Sequence, residues 1–135
     1  MNRFLLPLTL IGLLLAACSN APEVPGFPEQ ATQAYEAFLE QPNEVTYLRF
    51  IHENRDVQIG RETPNDAIGI LTQVRALEVQ SMHAKSTGDL NIAESVVDRV
   101  REIGEGDVID VYDEVLPGAK ARLHAARDRV AKMIE

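Results

Sequence analysis

Between Pro28 and Glu135 the apolar residues return at intervals of three and four, and no alternating run of strand length interrupts them. A period near 3.6 draws a stripe down one side of an α-helix, whereas a half-buried strand needs a period of two. The chain is therefore confined to helix packing: all-α, a compact bundle of five or six helices in a single domain over residues 28–135. Phe27, Ala31, Ala34, Tyr35 and Phe38 share the face of a first helix, expected from Pro28 to about Glu40 and stopped by Pro42. A second is expected from about Glu44 to Arg55, with Val45, Leu48 and Ile51 on its inner side and a loop over 57–62 after it. Thr63 as cap and Pro64 at the first helical position open a third helix that reaches about Thr87 and stops at Gly88. Its stripe of Ala67, Ile70, Leu71, Val74 and Leu77 is widened by Ile68, Val79 and Met82, an arc broad enough to make this helix central. Asp89 caps a fourth helix, with Leu90, Ala93, Val96, Val97, Val100 and Ile103 on one face and Gly104 and Gly106 at its end. Asp107 caps a short fifth, with Val108, Val111, Tyr112 and Val115 along one side. After Leu116-Pro117-Gly118 the last helix carries Ala119, Leu123, Ala126, Val130 and Met133 as a narrow packing seam.

The N-terminus follows a different rule. Arg3 precedes an apolar run of 14 residues, Phe4 to Ala17, broken only by Pro7, Thr9 and Gly12. As a helix that run spans roughly 21 Å, short of the ~30 Å hydrocarbon core of a bilayer, so it reads as the apolar region of a signal peptide. It ends in Leu15-Ala16-Ala17-Cys18. This closely resembles the lipobox of bacterial lipoproteins, and the resemblance covers residues 1–20 alone. It implies cleavage between Ala17 and Cys18, loss of residues 1–17, and attachment of diacylglyceryl and acyl groups at Cys18, which would tie the protein to a membrane. Ser19, where that family carries Asp for inner-membrane retention, implies the outer membrane and its periplasmic face. Residues 18–27 then form the lipidated cysteine and a flexible, extended tether containing Pro22, Pro25 and Gly26, with Glu23 its only charge.

Composition removes several function classes. The chain holds 13 basic against 21 acidic residues and one cysteine in 135. A lone cysteine excludes a disulfide scaffold and a cysteine-based zinc site, and a net charge of −8 argues against nucleic acid as a partner. No Gly-x-Ser-x-Gly elbow and no phosphate-cradling loop occurs, so no catalytic residue, cofactor or metal is expected. His52, His83 and His124 fall on three different helices, far from the close spacing of a metal site.

Charge patterning leaves three features. Asp107, Asp110 and Asp113 lie at spacings of three in an acidic cluster, readable as paired carboxylates or a cation site and more simply as a solvated helix face. Residues 119–135 hold five basic against two acidic residues, while 89–118 hold nine acidic against two basic. In the last helix Lys120 and Arg127 flank one shoulder of the apolar seam, and Arg122 and Arg129 the other. Those shoulders are expected either to lie against the acidic helices or to meet an acidic partner or anionic headgroups. Arg75 and Glu78, one turn apart within the broad arc of the third helix, are readable as a binding-site pair and more simply as a structural ion pair buried between helices.

These readings make Lys120, Arg122, Arg127, Arg129, Asp107, Asp110 and Asp113 the candidate partner-binding residues. The expected function is a non-catalytic, protein-binding accessory module of the cell envelope, anchored through Cys18. The alternatives are an envelope structural lipoprotein that touches lipid or cell wall through its basic last helix, and a periplasmic ligand-binding or hydrolytic domain.

Overall fold

The computed structural model describes residues 23–59 and 66–135. The signal segment, its cleavage pair Ala17 and Cys18, and the cap expected at Thr63-Pro64 lie outside the described residues. Six α-helices follow one another: α1 (Glu29–Glu40), α2 (Glu44–Gln58), α3 (Ala67–Thr87), α4 (Leu90–Gly104), α5 (Val108–Val115) and α6 (Ala119–Ala131), the last tightening into a 3₁₀ turn at Lys132–Ile134. No strand occurs among the described residues, and the fold is an all-α bundle.

The local chemistry of the helix ends explains the boundaries. Asn43 accepts a hydrogen bond from the Thr46 backbone N–H (2.9 Å) while the Asn43 N–H donates to Thr46 Oγ1 (3.1 Å), a reciprocal cap that starts α2. The Asp66 carboxylate accepts from the Gly69 N–H at 2.8 Å and caps α3. Gly88 closes α3 in the left-handed region (φ 76°), its N–H donating to the Ala84 carbonyl. Asp89 immediately caps α4 by accepting from Ile92 N–H at 3.1 Å.

The 21-residue α3 is the axis of the molecule. Side chains are buried on all of its sides, and it packs against each of the other five helices. One core lies between α3, α4, α5 and α6, around Leu71, Val74, Val96, Val100, Leu123 and Val130. A second, smaller core of Phe38, Phe50 and Val79 joins the α1–α2 pair to the opposite side of α3. Each fully buried side chain of this size contributes about 1.5–3 kcal/mol of transfer free energy.

Several expectations are corrected, among them Leu90, placed on the inner face of the fourth helix but 52% exposed at its first residue. In α2 the inward face is Phe50, Asn54 and Val57, with Ile51 packed partly buried against the smaller core as expected, while Val45 and Leu48 are 76% and 56% exposed. Phe50 decides the rotation by packing its ring against Tyr35, 6.0 Å between centroids, and Asn54 Nδ2 donates to the Thr72 carbonyl of α3 at 3.1 Å. The helix also runs on through Val57, which the sequence assigned to a loop. In α5 the inward residues are Ile109 and Tyr112, and Val108, Val111 and Val115 are each about two-fifths exposed.

A further correction concerns the tether. Residues 23–27 are docked on the bundle: Val24 is 5% exposed and belongs to the larger core, and Phe27 packs beside it. Val24-Pro25-Gly26-Phe27 forms a tight turn, with the Phe27 N–H donating to the Val24 carbonyl at 3.2 Å. Proline second and a glycine at φ 83° third are the requirements of a type II turn. The Pro-Gly pair therefore folds the chain back on itself instead of extending it.

Candidate functional site

That turn delivers Glu23 and Phe27 to the same arginine. Arg75, on the central helix, is only 4% exposed. Its guanidinium carbon lies 4.7 Å from the Phe27 ring centroid and 4.6 Å from that of Tyr35, a cation held between two aromatic faces. The edge of the guanidinium is left for hydrogen bonds: Nη2 donates to Glu23 Oε2 at 3.0 Å and Nη1 to Thr32 Oγ1 at 3.0 Å. Its Nε is buried and has no partner.

Arg122 of α6 completes the cluster. Nε and Nη2 donate to the two oxygens of Glu78 at 3.0 and 2.7 Å, a bidentate fork. Nη1 donates to Glu23 Oε1. The Glu23 carboxylate therefore bridges two arginines, one oxygen to each. Tyr35 donates its hydroxyl to Glu78 Oε1 at 2.9 Å. Arg75 and Glu78, expected to pair with each other, instead take partners from the N-terminal segment and from α6.

The cluster is ordered by burial and charge together. Burial, followed by the charge of Glu78 and the hydrogen bond to it, pushes the Tyr35 hydroxyl up to about 12 against the weaker opposing pull of Arg122. Burial acts to lower the Arg122 pKa, but the hydrogen bonds and charge of Glu78 and the charge of Glu23 outweigh it and hold it above the usual arginine value. The cluster is an electrostatic junction of α1, α3, α6 and the N-terminal segment.

The other candidate residues separate into two groups. Lys120 Nζ donates to Asp110 Oδ1 at 3.1 Å, and the Lys120 backbone N–H donates to Asp113 Oδ1 at 3.0 Å. Asp113 thus caps α6, whose own preceding residue, Gly118, has no side chain to do so. Asp107 is exposed and makes no capping hydrogen bond. Arg129 Nη1 donates to the Ser81 hydroxyl of α3, and Arg127 turns outward to its neighbour Asp128 at 3.0 Å. Lys120, Asp110 and Asp113 are brought together, Arg122 and Arg129 face α3, and Asp107 and Arg127 stand apart. Glu23, Phe27, Thr32 and Tyr35 were missed. The Pro-Gly turn signal beside the lone Glu23 was the available clue.

Around α5 a second arrangement faces solvent. Val108, Val111 and Val115 lie on one outward strip, and Asp107 and Glu114 fall beside it at 100° per residue, while Asp110, farther round the helix, is paired with Lys120. Elsewhere, a cavity of about 440 Å³ between α2, α3 and α4 is walled by Gln58, Gln73, Gln80 and Arg99 over Ala76 and Leu77. Arg99 is engaged there by Glu102 and Gln73. His83 stacks flat on Tyr47, 3.7 Å between centroids, and His52 lies near Asp56. Among the described residues no group of three or more His, Cys, Asp or Glu could hold a metal ion, and no helix is long and apolar enough to cross a membrane. Comparison with protein-family models, curated proteins and solved structures returned no match to this chain.

Proposed function

We propose that the protein is a lipid-anchored accessory module of the cell envelope. On this reading it is held at the periplasmic face of the outer membrane through Cys18 and binds another envelope protein without catalytic chemistry of its own. The outer face of α5 carries the reading. Three valines, 41–42% exposed, run along the helix with the carboxylates of Asp107 and Glu114 on one side of them. An apolar strip with the exposed carboxylates of Asp107 and Glu114 beside it suits a basic, amphipathic segment of a partner, because complementary charge guides the encounter and burial holds it. The basic shoulders of α6 support a partner surface less well, since Lys120, Arg122 and Arg129 are bonded within the fold. The lipid anchor rests on the Leu15-Ala16-Ala17-Cys18 pattern.

A photo-crosslinking side chain at Val111, in cells, tests the binding face. We expect an adduct with one envelope protein that disappears when Val108→Asp and Val115→Asp are added, and that persists with the paired control Arg127→Gln. Replacing Cys18 by Ser should move the protein out of the membrane fraction and weaken the adduct. No adduct from the membrane-bound protein, or one indifferent to the two aspartates, removes the proposal.

A further inference from the structure

We propose that Arg75 and Arg122 form a receptor for a carboxylate-bearing peptide, that the chain's own Glu23 fills it here, and that an acidic segment of a partner protein can take its place. This rests on the junction of α1, α3 and α6 and is independent of the α5 face.

The groups that hold the carboxylate belong to the bundle. Arg75 and Arg122 are 4% and 24% exposed, on the central helix and on α6, and Thr32 and Tyr35 stand on α1. The occupant comes from outside the helices, on residues 23–27, and is itself 39% exposed. Without Glu23 the junction keeps two guanidinium groups against one carboxylate, Glu78, and so a net positive charge beside an enclosed Arg75. A cation taken out of water demands a counter-charge, so the junction needs an anion whichever chain supplies it. The Arg75 Nε, buried and without a partner, shows that Glu23 does not use the whole donor edge. A carboxylate free of the constraints of the turn has an additional donor available.

The shape of the occupied site defines the ligand beyond its charge. Val24 fills an apolar slot in the larger core directly after the acid, and Phe27 covers the face of Arg75 after the Pro-Gly turn. A competing segment therefore needs an acid, an aliphatic residue next to it, and an aromatic residue four positions after the acid. The resident segment has the advantage of attachment, equivalent to an effective concentration on the order of millimolar. A free peptide should accordingly bind the intact site poorly and the vacated site well.

The probe is an acetylated, fluorescently labelled peptide Glu-Val-Pro-Gly-Phe-Pro, and the same peptide with Gln for Glu is the control. The full chain carrying Glu23→Ala, Val24→Ala and Phe27→Ala should bind the probe at least tenfold more tightly than the unaltered chain, by fluorescence anisotropy. The control peptide should lose that binding, and adding Arg122→Gln should lose it as well. Should the triple variant fail to fold, Glu23→Ala alone, which leaves Val24 and Phe27 seated and vacates only the carboxylate position, is titrated with sodium acetate. Its thermal midpoint, lower than that of the unaltered chain, should rise more with acetate than with the same concentration of sodium chloride. Equal binding of probe and control, equal binding to vacated and intact sites, or no greater rise of the midpoint with acetate than with chloride overturns the proposal.

Discussion

Arg75 is buried with its charge because three kinds of contact share it: two rings cover its faces, Thr32 takes one amino group and Glu23 another. Tyr35 belongs to the same arrangement twice over, as one of those rings and as a donor to Glu78. That donor role requires a neutral hydroxyl, and it makes stability depend on pH in a definable direction. Burial and Glu78 raise the Tyr35 pKa from 10.0 to about 12 in the folded protein, whereas the unfolded chain keeps the ordinary value. A group whose folded pKa is raised stabilises fully below its unfolded pKa and loses that contribution as pH climbs through the folded one. The urea midpoint should therefore fall as pH rises from 10.0 through about 12, and it should fall less in Tyr35→Phe. Parallel declines in the two proteins would show that the hydroxyl has no such part.

At the scale of the element, the caps separate two aspartates that look alike in sequence. Asp89 and Asp107 each precede a helix, yet Asp89 accepts from the Ile92 N–H and Asp107 makes no capping bond. Asp89→Ala should cost about 1 kcal/mol. Asp107→Ala should stay within about 0.5 kcal/mol, as an exposed substitution does. Chemical denaturation of the two variants checks the difference, and equal costs would contradict the cap assignment. The same contrast explains what could be read beforehand. Periodicity located all six helices, and the stop at Gly88 with the start at Asp89 followed from backbone chemistry alone. It could not orient α5, which has apolar residues on both sides, Ile109 and Tyr112 against Val108, Val111 and Val115. It misoriented α2 because the buried face includes Asn54, a residue that hydropathy counts as outward until its bond to the Thr72 carbonyl is known. The ionic junction was half legible. Arg75 and Glu78 stood out as charges in an apolar arc, but their partners Glu23 and Arg122 lie 52 and 44 residues away in sequence, beyond any local pattern.

For the molecule as a whole, the question is whether α6 is an appendage or a wall. A basic terminal helix in an otherwise acidic chain suggests a detachable arm, and a membrane-contacting role would require one. The packing argues for a wall. Ala119, Leu123, Ala126 and Val130 have no exposed surface, and they close the larger core against α3 and α4. Arg122 ties the helix to α3 and, through Glu23, to the N-terminal segment, while Asp110 and Asp113 tie its first turn to α5. Leu123 and Val130 alone represent about 3–6 kcal/mol of burial, against a total stability of about 5–15 kcal/mol for a domain of this kind. Removing α6 also leaves Glu78 without its arginine beside an opened core. A chain ending at Gly118 should consequently lose its cooperative thermal transition and the spread of its amide resonances, where neutralising only the outward Arg127 and Lys132 should leave both intact. A truncated chain that still melted cooperatively would make α6 an arm laid on a finished domain. It would also free the helix's positive charge for the lipid or cell-wall contact that its present bonding discourages.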